Sequence, residues 1–233
     1  MTQHTVSTKN EWLEARKELL RAEKDFTRLR DELSARRRAL PWLHIDKNYS
    51  FDTARGKETL SQLFRDRSQL VVYHFMFGPD WEAGCKSCSF WADSFNGIVA
   101  HLRQRDASFA AISRAPLAKL QAFAQRLGWS FEWVSSLESD FNFDFQVSFK
   151  HDGDSPLVYN YQPLRYSASE APGISVFAKD EAGALFHTYS TFGRGLDMMN
   201  TAYNYLDLVP KGRDEADLPG TMSWVKLRDL YDR

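Results

Sequence analysis

Apolar positions along this chain change their spacing from one segment to the next, and the spacing predicts the elements. Over residues 10–40, Trp12, Leu19, Phe26, Leu33 and Leu40 fall seven apart, while Ala15, Ala22 and Leu29 fill the second position of the same stripe. Glu, Lys and Arg dominate the rest, so one long helix is expected, with Asn10 as N-cap and Pro41 as its stop. A short strand and turn follow over 41–51, and apolar residues at 60, 63 and 64 mark a helical turn. Residues 69–77 are almost continuously apolar, rich in β-branched and aromatic side chains, and halted by Gly78-Pro79, the pattern of a buried strand. Phe90, Trp91, Phe95, Ile98, Val99 and Leu102 then recur at three- and four-residue steps, predicting a helix that runs to about Arg105.

A second buried strand is expected at 107–113. Pro116 opens a helix to Leu127 that Gly128 caps. Residues 131–136 read as a third, alternating strand. The alternation of acidic or amide groups with phenylalanine over 140–145 predicts a half-buried edge or an aromatic lid. Residues 150–172 carry Gly, Pro, Ser and charge with little periodicity, a long inserted loop. Two strands around Asp180-Glu181-Ala182-Gly183 make a hairpin over 173–190. A helix from Arg194 to Leu208 is next, with Leu196, Met199, Tyr203 and Leu206 on one face, and Trp224, Leu227 and Tyr231 anchor a C-terminal tail.

Composition narrows the class. The 233 residues are 43% hydrophobic and 14% aromatic, enough for a sizeable core. The division expected is a helical arm, 1–41, and an α/β body, 42–233, carrying the inserted loop and the tail. A formal charge of −1 provides no overall basic field, which argues against nucleic acid and acidic lipid as partners. Arg36-Arg37-Arg38 is a solvated helix end facing the C-terminal dipole. The first thirty residues hold no apolar signal core, and no run of about eighteen apolar residues occurs. A cytoplasmic, non-membrane protein is expected. The heptad stripe packs either on its own body or against a second subunit, and the second reading makes a homodimer.

The chain has two cysteines, Cys85 and Cys88, placed where the first buried strand hands over to a helix. Unpaired N–H groups at a helix start favour a thiolate, and Lys86 adds a cation beside it. Strand, loop, C-x-x-C and helix, followed by strand, helix, hairpin and helix, is the thioredoxin-type order. Zinc is the competing chemistry. Cys85, Cys88 and His101 imitate three ligands of a finger, but His74 would have to be the fourth, and the ligand count favours no metal. No cofactor is expected either, since there is no Gly-rich phosphate loop, dinucleotide fingerprint or G-x-S-x-G. His187, in the hairpin, is the best-placed acid or base; otherwise it is a packed histidine. Arg114, just past the second strand, serves either a thiolate or anionic substrate, or a salt bridge at the helix start. Trp81 and Trp91 line the approach to the sulfurs or belong to the core.

Several runs resemble the bacterial thioredoxin-like family known as domain of unknown function 899. They are residues 75–81, 85–93, Ser113-Arg114-Ala115-Pro116, Gly128-Trp129, 139–142, 187–190 with 194–197, and 206–208 with 210–213. The resemblance spans nearly everything beyond the N-terminus. It implies a thioredoxin fold related to the alkyl-hydroperoxide-reductase and thiol-specific-antioxidant group, with no defined substrate. On that reading Cys85, nearer the helix terminus, attacks, and Cys88, one turn inward, resolves. Two departures stand out. Thioredoxin-fold oxidoreductases usually carry a cis-proline before the hairpin strand; here Ile174 or Ser175 falls at that register, and Pro172 serves only if the loop is shifted. The P-x-x-x-T/S-x-x-C context of peroxiredoxins is replaced by Pro79-Asp80-Trp81-Glu82-Ala83-Gly84-Cys85, which ranks peroxide reduction below dithiol–disulfide exchange. The expected function is therefore a thiol–disulfide oxidoreductase. It would act on a protein or small-molecule disulfide and be served by a cellular thiol reductant. The alternative is a non-catalytic dimeric scaffold with structural or zinc-binding cysteines.

Overall fold

Thr8 and Glu11 start the first element. In this computed structural model, which describes residues 4–151, 157–163, 167 and 169–232, helix α1 spans Lys9–Arg38. The Thr8 side chain accepts the Glu11 N–H, and the Glu11 carboxylate accepts the Thr8 N–H at 2.8 Å. The cap thus lies two residues before the expected Asn10, because a reciprocal Thr-x-x-Glu box satisfies two orphan donors where a lone Asn satisfies one. Helix α1 belongs to a unit of its own, Met1–Pro41, and none of its residues is buried. Trp12, Leu19, Phe26 and Leu29 are exposed along it.

The second unit, Trp42–Arg233, holds the sheet. Its opening elements are β1 (Leu43–His44), β2 (Ser50–Thr53), β3 (Gly56–Thr59), α2 (Leu60–Leu63) and β4 (Gln69–His74). The middle comprises α3 (Lys86–Ala92), α4 (Phe95–Arg103), β5 (Ala107–Ser113), α5 (Leu117–Arg126), β6 (Trp133–Ser135) and α6 (Phe141–Asp144). The small strands β7 (Val158–Tyr159) and β8 (Gln162–Pro163) precede β9 (Gly173–Lys179), β10 (Leu185–Phe192) and α7 (Thr201–Leu206). Among the described residues the main sheet runs β1-β10-β9-β4-β5-β6-β2-β3. Strands β4, β5 and β6 are parallel, while β9 pairs antiparallel with β4 and β10 with β9. A central strand leading into the cysteine helix, parallel neighbours on one side and an antiparallel hairpin on the other make this a thioredoxin-like α/β fold.

Strand parity sorts the core into two faces. Tyr73, Phe109, Ala111 and Ile174 face one cluster with α3, α4 and α5; Leu70, Val72, Ala110, Ile112 and Phe177 face the other, with α2 and α6. The strand expected at 131–136 shortens to β6 and does not alternate: all three residues are buried, because both faces of the sheet are covered there, Trp133 packing into one core cluster and Val134 into the other. The segment at 140–145 is neither edge nor lid. It is the helical turn α6, with the rings of Phe141 and Phe145 4.5 Å apart and Phe141 wholly buried. Residues 141 and 145 share a face at period two and at four-residue helical spacing alike, so the pattern is ambiguous, and packing beside Tyr49 and Phe51 decides it. The long helix expected after the cysteines is broken at Asp93-Ser94 into α3 and α4. That expected from Arg194 to Leu208 is a 3-10 turn, Gly193–Met199, followed by α7, whose N-cap Asn200 accepts the Tyr203 N–H at 2.9 Å. Of the inserted loop, residues 152–156, 164–166 and 168 lie outside the described residues.

Candidate active site: a thiol pair facing a cavity

The loop after β4 is tied back onto that strand's own extension, which sets the thiols in place. The Cys85 N–H donates to Met76 O at 3.0 Å, and Cys85 O accepts the Ser89 N–H at 3.0 Å, opening α3. Cys85 is therefore the N-cap, half-buried, and Cys88 lies one turn further on, 2% exposed. Both are free thiols.

Their environments push the two acidities apart. The Cys88 thiol donates to Cys85, and with the N–H groups of Cys88 and Ser87 this outweighs burial and lowers the Cys85 pKa to about 6. Burial drives Cys88 the other way, well above the usual thiol range, reinforced by its bond to Cys85 and by the Cys85 charge. Two donors already point at the Cys88 sulfur: the Met76 N–H, at 3.5 Å, and the Tyr73 hydroxyl. Such a pair at neutral pH is one accessible thiolate backed by one buried thiol.

The pair borders a cavity of about 600 Å³. Tyr73, Met76, Ser87 and Trp91 line it from the β4–α3 side, and Pro172 and Gly193 from the ends of the hairpin. Leu196, Asp197, Tyr203, Arg213, Glu215 and Met222 form the facing wall. That wall is bonded in place. Trp91 Nε1 donates to Leu196 O at 2.9 Å, and Arg213 pairs with Asp197 at 3.0 Å and Asp207 at 2.8 Å while lying over the Tyr203 ring.

The residues singled out from the sequence distribute unevenly. Cys85 and Cys88 meet as expected at the strand–helix junction, and Trp91 lines the cavity while also packing in the core. Lys86 is turned toward the tail: its ammonium donates to Ser223 O at 2.9 Å. Trp81 packs over Gly78 and against the larger core, away from the cavity lining. Arg114 takes the salt-bridge role, pairing with the buried Glu170 at 3.3 Å and lying over the Phe143 ring at 4.4 Å. His187 is also elsewhere. It lines a separate cavity with His44, Lys47 and Phe145, its Nε2 2.7 Å from Ser190 Oγ, because the hairpin meets the thiols with its ends and not its middle. Pro172 lines the same cavity as the cysteines, and no peptide bond among the described residues is cis. Among the described residues no three His, Cys, Asp or Glu side chains gather into a metal site; His74 Nε2 contacts Ser175 Oγ at 2.8 Å, and His101 is exposed.

Tyr73 and the 194–215 wall carry no role in the sequence reading. For Tyr73 a signal existed: parity places residues 73, 75 and 77 on the face that meets the cysteine helix. For the wall, the runs 194–197, 206–208 and 210–213 stand out only through family resemblance, and the fold brings them to the thiols.

Taken together, the sheet order and the thiol pair at the start of α3 define a thioredoxin-fold protein with a C-x-x-C motif facing a cavity. The chain belongs to the family described as bacterial protein of unknown function (DUF899), whose model matches residues 1–231. No curated protein sequence matches it. Among solved structures it is similar to a peroxidoxin, BcpB, from Mycobacterium tuberculosis, at 14% identity and TM-score 0.46, covering 69% of this chain and 92% of that one. It is also similar to a PrxQ mutant from Xylella fastidiosa, at 12% identity and TM-score 0.44, covering 70% and 94%. The mitochondrial 2-Cys peroxiredoxin from Plasmodium falciparum matches at 11% identity and TM-score 0.43, covering 71% and 92%. No residue role crosses from likenesses this distant. No helix among the described residues is long and apolar enough to cross a membrane.

Proposed function

We propose that this protein is a dithiol–disulfide oxidoreductase in which Cys85 is the nucleophile and Cys88 the resolving thiol. The observation that carries the reading is the half-buried Cys85 at the cavity wall, hydrogen-bonded by the buried Cys88 thiol and acidified to about 6. The Cys85 thiolate attacks one sulfur of a substrate disulfide, the S–S bond breaks, and the first product leaves as a thiolate. Once Cys85 is capped as a mixed disulfide, its charge no longer opposes ionisation of Cys88. The Tyr73 hydroxyl and Met76 N–H remain to receive the new thiolate. Cys88 gives its proton to the departed thiolate and attacks Cys85 sulfur, releasing the second product. Two electrons pass from the dithiol to the substrate, and a cellular thiol returns them in a reducing compartment such as the cytoplasm. The same reading includes a homodimer through α1, supported by the heptad stripe of exposed Trp12, Leu19, Phe26 and Leu33.

Iodoacetamide alkylation followed across pH tests the site. Cys85 should react with a half-maximum near pH 6, Cys85→Ser should abolish disulfide reduction, and Cys88→Ser should accumulate the mixed disulfide. An ordinary thiol titration without reversible Cys85–Cys88 bonding would sink the reading. Stoichiometric zinc on both sulfurs would replace it with a scaffold.

A further inference from the structure

The C-terminal segment decides what can reach Cys85. Thioredoxin-type chemistry on protein disulfides needs an open face, since a polypeptide must lay backbone on both sides of its own disulfide. Here the facing wall is fastened at several independent points. Lys86 Nζ holds Ser223 O at 2.9 Å, and Trp91 Nε1 holds Leu196 O at 2.9 Å. Glu215 Oε1 gathers the Tyr203 hydroxyl and Trp224 Nε1, each at 2.6 Å, and the Met222 N–H at 3.0 Å. The cavity volume of about 600 Å³ falls in the range of small-ligand sites, roughly 300–1,000 Å³.

Charge inside the cavity is nearly self-cancelling, with one remainder. Arg213 is taken up by Asp197 and Asp207, and Arg194 pairs with Asp197 at 3.0 Å. Two guanidinium groups therefore balance two carboxylates, leaving Glu215 over. Its three donors favour the carboxylate form, so the cavity that holds Cys85 also presents a fixed negative charge on its facing wall. Met76, Trp91, Leu196 and Met222 supply the apolar lining.

We propose, building on the dithiol–disulfide reading, that the substrate is a low-molecular-weight disulfide with a neutral or cationic, partly apolar body. Protein disulfides and anionic small disulfides are excluded by the wall and by Glu215. The electron balance is that already given: each substrate disulfide takes two electrons and leaves as two thiols, while Cys85 and Cys88 become a disulfide. The wall restricts the reductant equally, which is a low-mass thiol.

Single-turnover oxidation of the reduced full-length protein tests this, with four probes: cystamine, 2-hydroxyethyl disulfide, 3,3′-dithiodipropionate and insulin. Each rate is divided by that of a free reference thiolate, so intrinsic reactivity cancels, and Cys85–Cys88 bond formation is read by mass. Cystamine and 2-hydroxyethyl disulfide should lead the dianionic probe by about tenfold or more, a difference one nearby charge supplies. Insulin should be slower still. In Glu215→Gln the ratio of cystamine to dithiodipropionate rates should fall about tenfold. A ratio is unaffected by the fraction of variant that folds. Insulin as fast as cystamine, or a ratio unmoved by Glu215→Gln, overturns the substrate class while leaving the oxidoreductase standing. Failure of every probe to oxidise the pair overturns both.

Discussion

At the scale of single residues, burial assigns different work to groups that look alike in sequence. His74 is 1% exposed, and burial first and the nearby His187 second push its pKa down to about 3. The unfolded chain takes up that proton near 6.5, so between the two values the unfolded state holds more protons and stability falls as pH drops. Urea denaturation at pH 7, 5.5 and 4 should show this loss. His74→Gln should flatten it by up to about 1.4 kcal/mol per pH unit, the contribution of one proton. Arg114 and Glu170 make the opposite case. Among the described residues, Ser148 and Arg114 bond the Glu170 carboxylate, which is 2% exposed and whose pKa burial raises. Arg114→Met should cost about 3 kcal/mol by stranding that carboxylate, and should leave the pH profile of Cys85 alkylation where it is. A shift in the profile would return Arg114 to the thiolate.

At the scale of elements, the cysteine loop depends on one close approach. A Cβ on Gly84 would sit 2.8 Å from the Phe75 ring and 3.1 Å from that of Phe123, both buried. Gly84→Ala should destabilise the fold by about 1–3 kcal/mol, as overpacking does. By moving the backbone that carries Cys85 it should also return the thiol toward its ordinary acidity. Denaturation and alkylation on one sample check both. The elements were unequally legible. Strand β5 spans the residues its apolar run marks, and the hairpin turns where Asp180-Glu181-Ala182-Gly183 places it, because runs and turn residues are local signals. Helix α6 was not legible, since six residues cannot separate period two from a single helical turn.

For the whole molecule, the open matter is what covers the stripe on α1. Phe26 is 65% exposed and Trp12 59%, at seven-residue spacing across two heptads. The homodimer proposed above predicts that sedimentation finds a dimer, and that Phe26→Glu, a charge in mid-stripe, yields a monomer with unchanged Cys85 alkylation. A wild-type monomer at micromolar concentration would remove the dimer and leave the thiol chemistry untouched.

The sequence by itself determined the α/β class, the buried central strand and the position of both cysteines at a strand–helix junction. Each of those is written in neighbouring residues, as apolar period, Gly-Pro punctuation and a two-residue cysteine spacing. Only the tertiary structure decided that Lys86 clasps a carbonyl 137 residues away, that His187 opens on a different cavity, and that Tyr73 and Glu215 line the cavity of the thiols. Contacts of that kind join distant segments through packing and hydrogen bonding. No local periodicity records them.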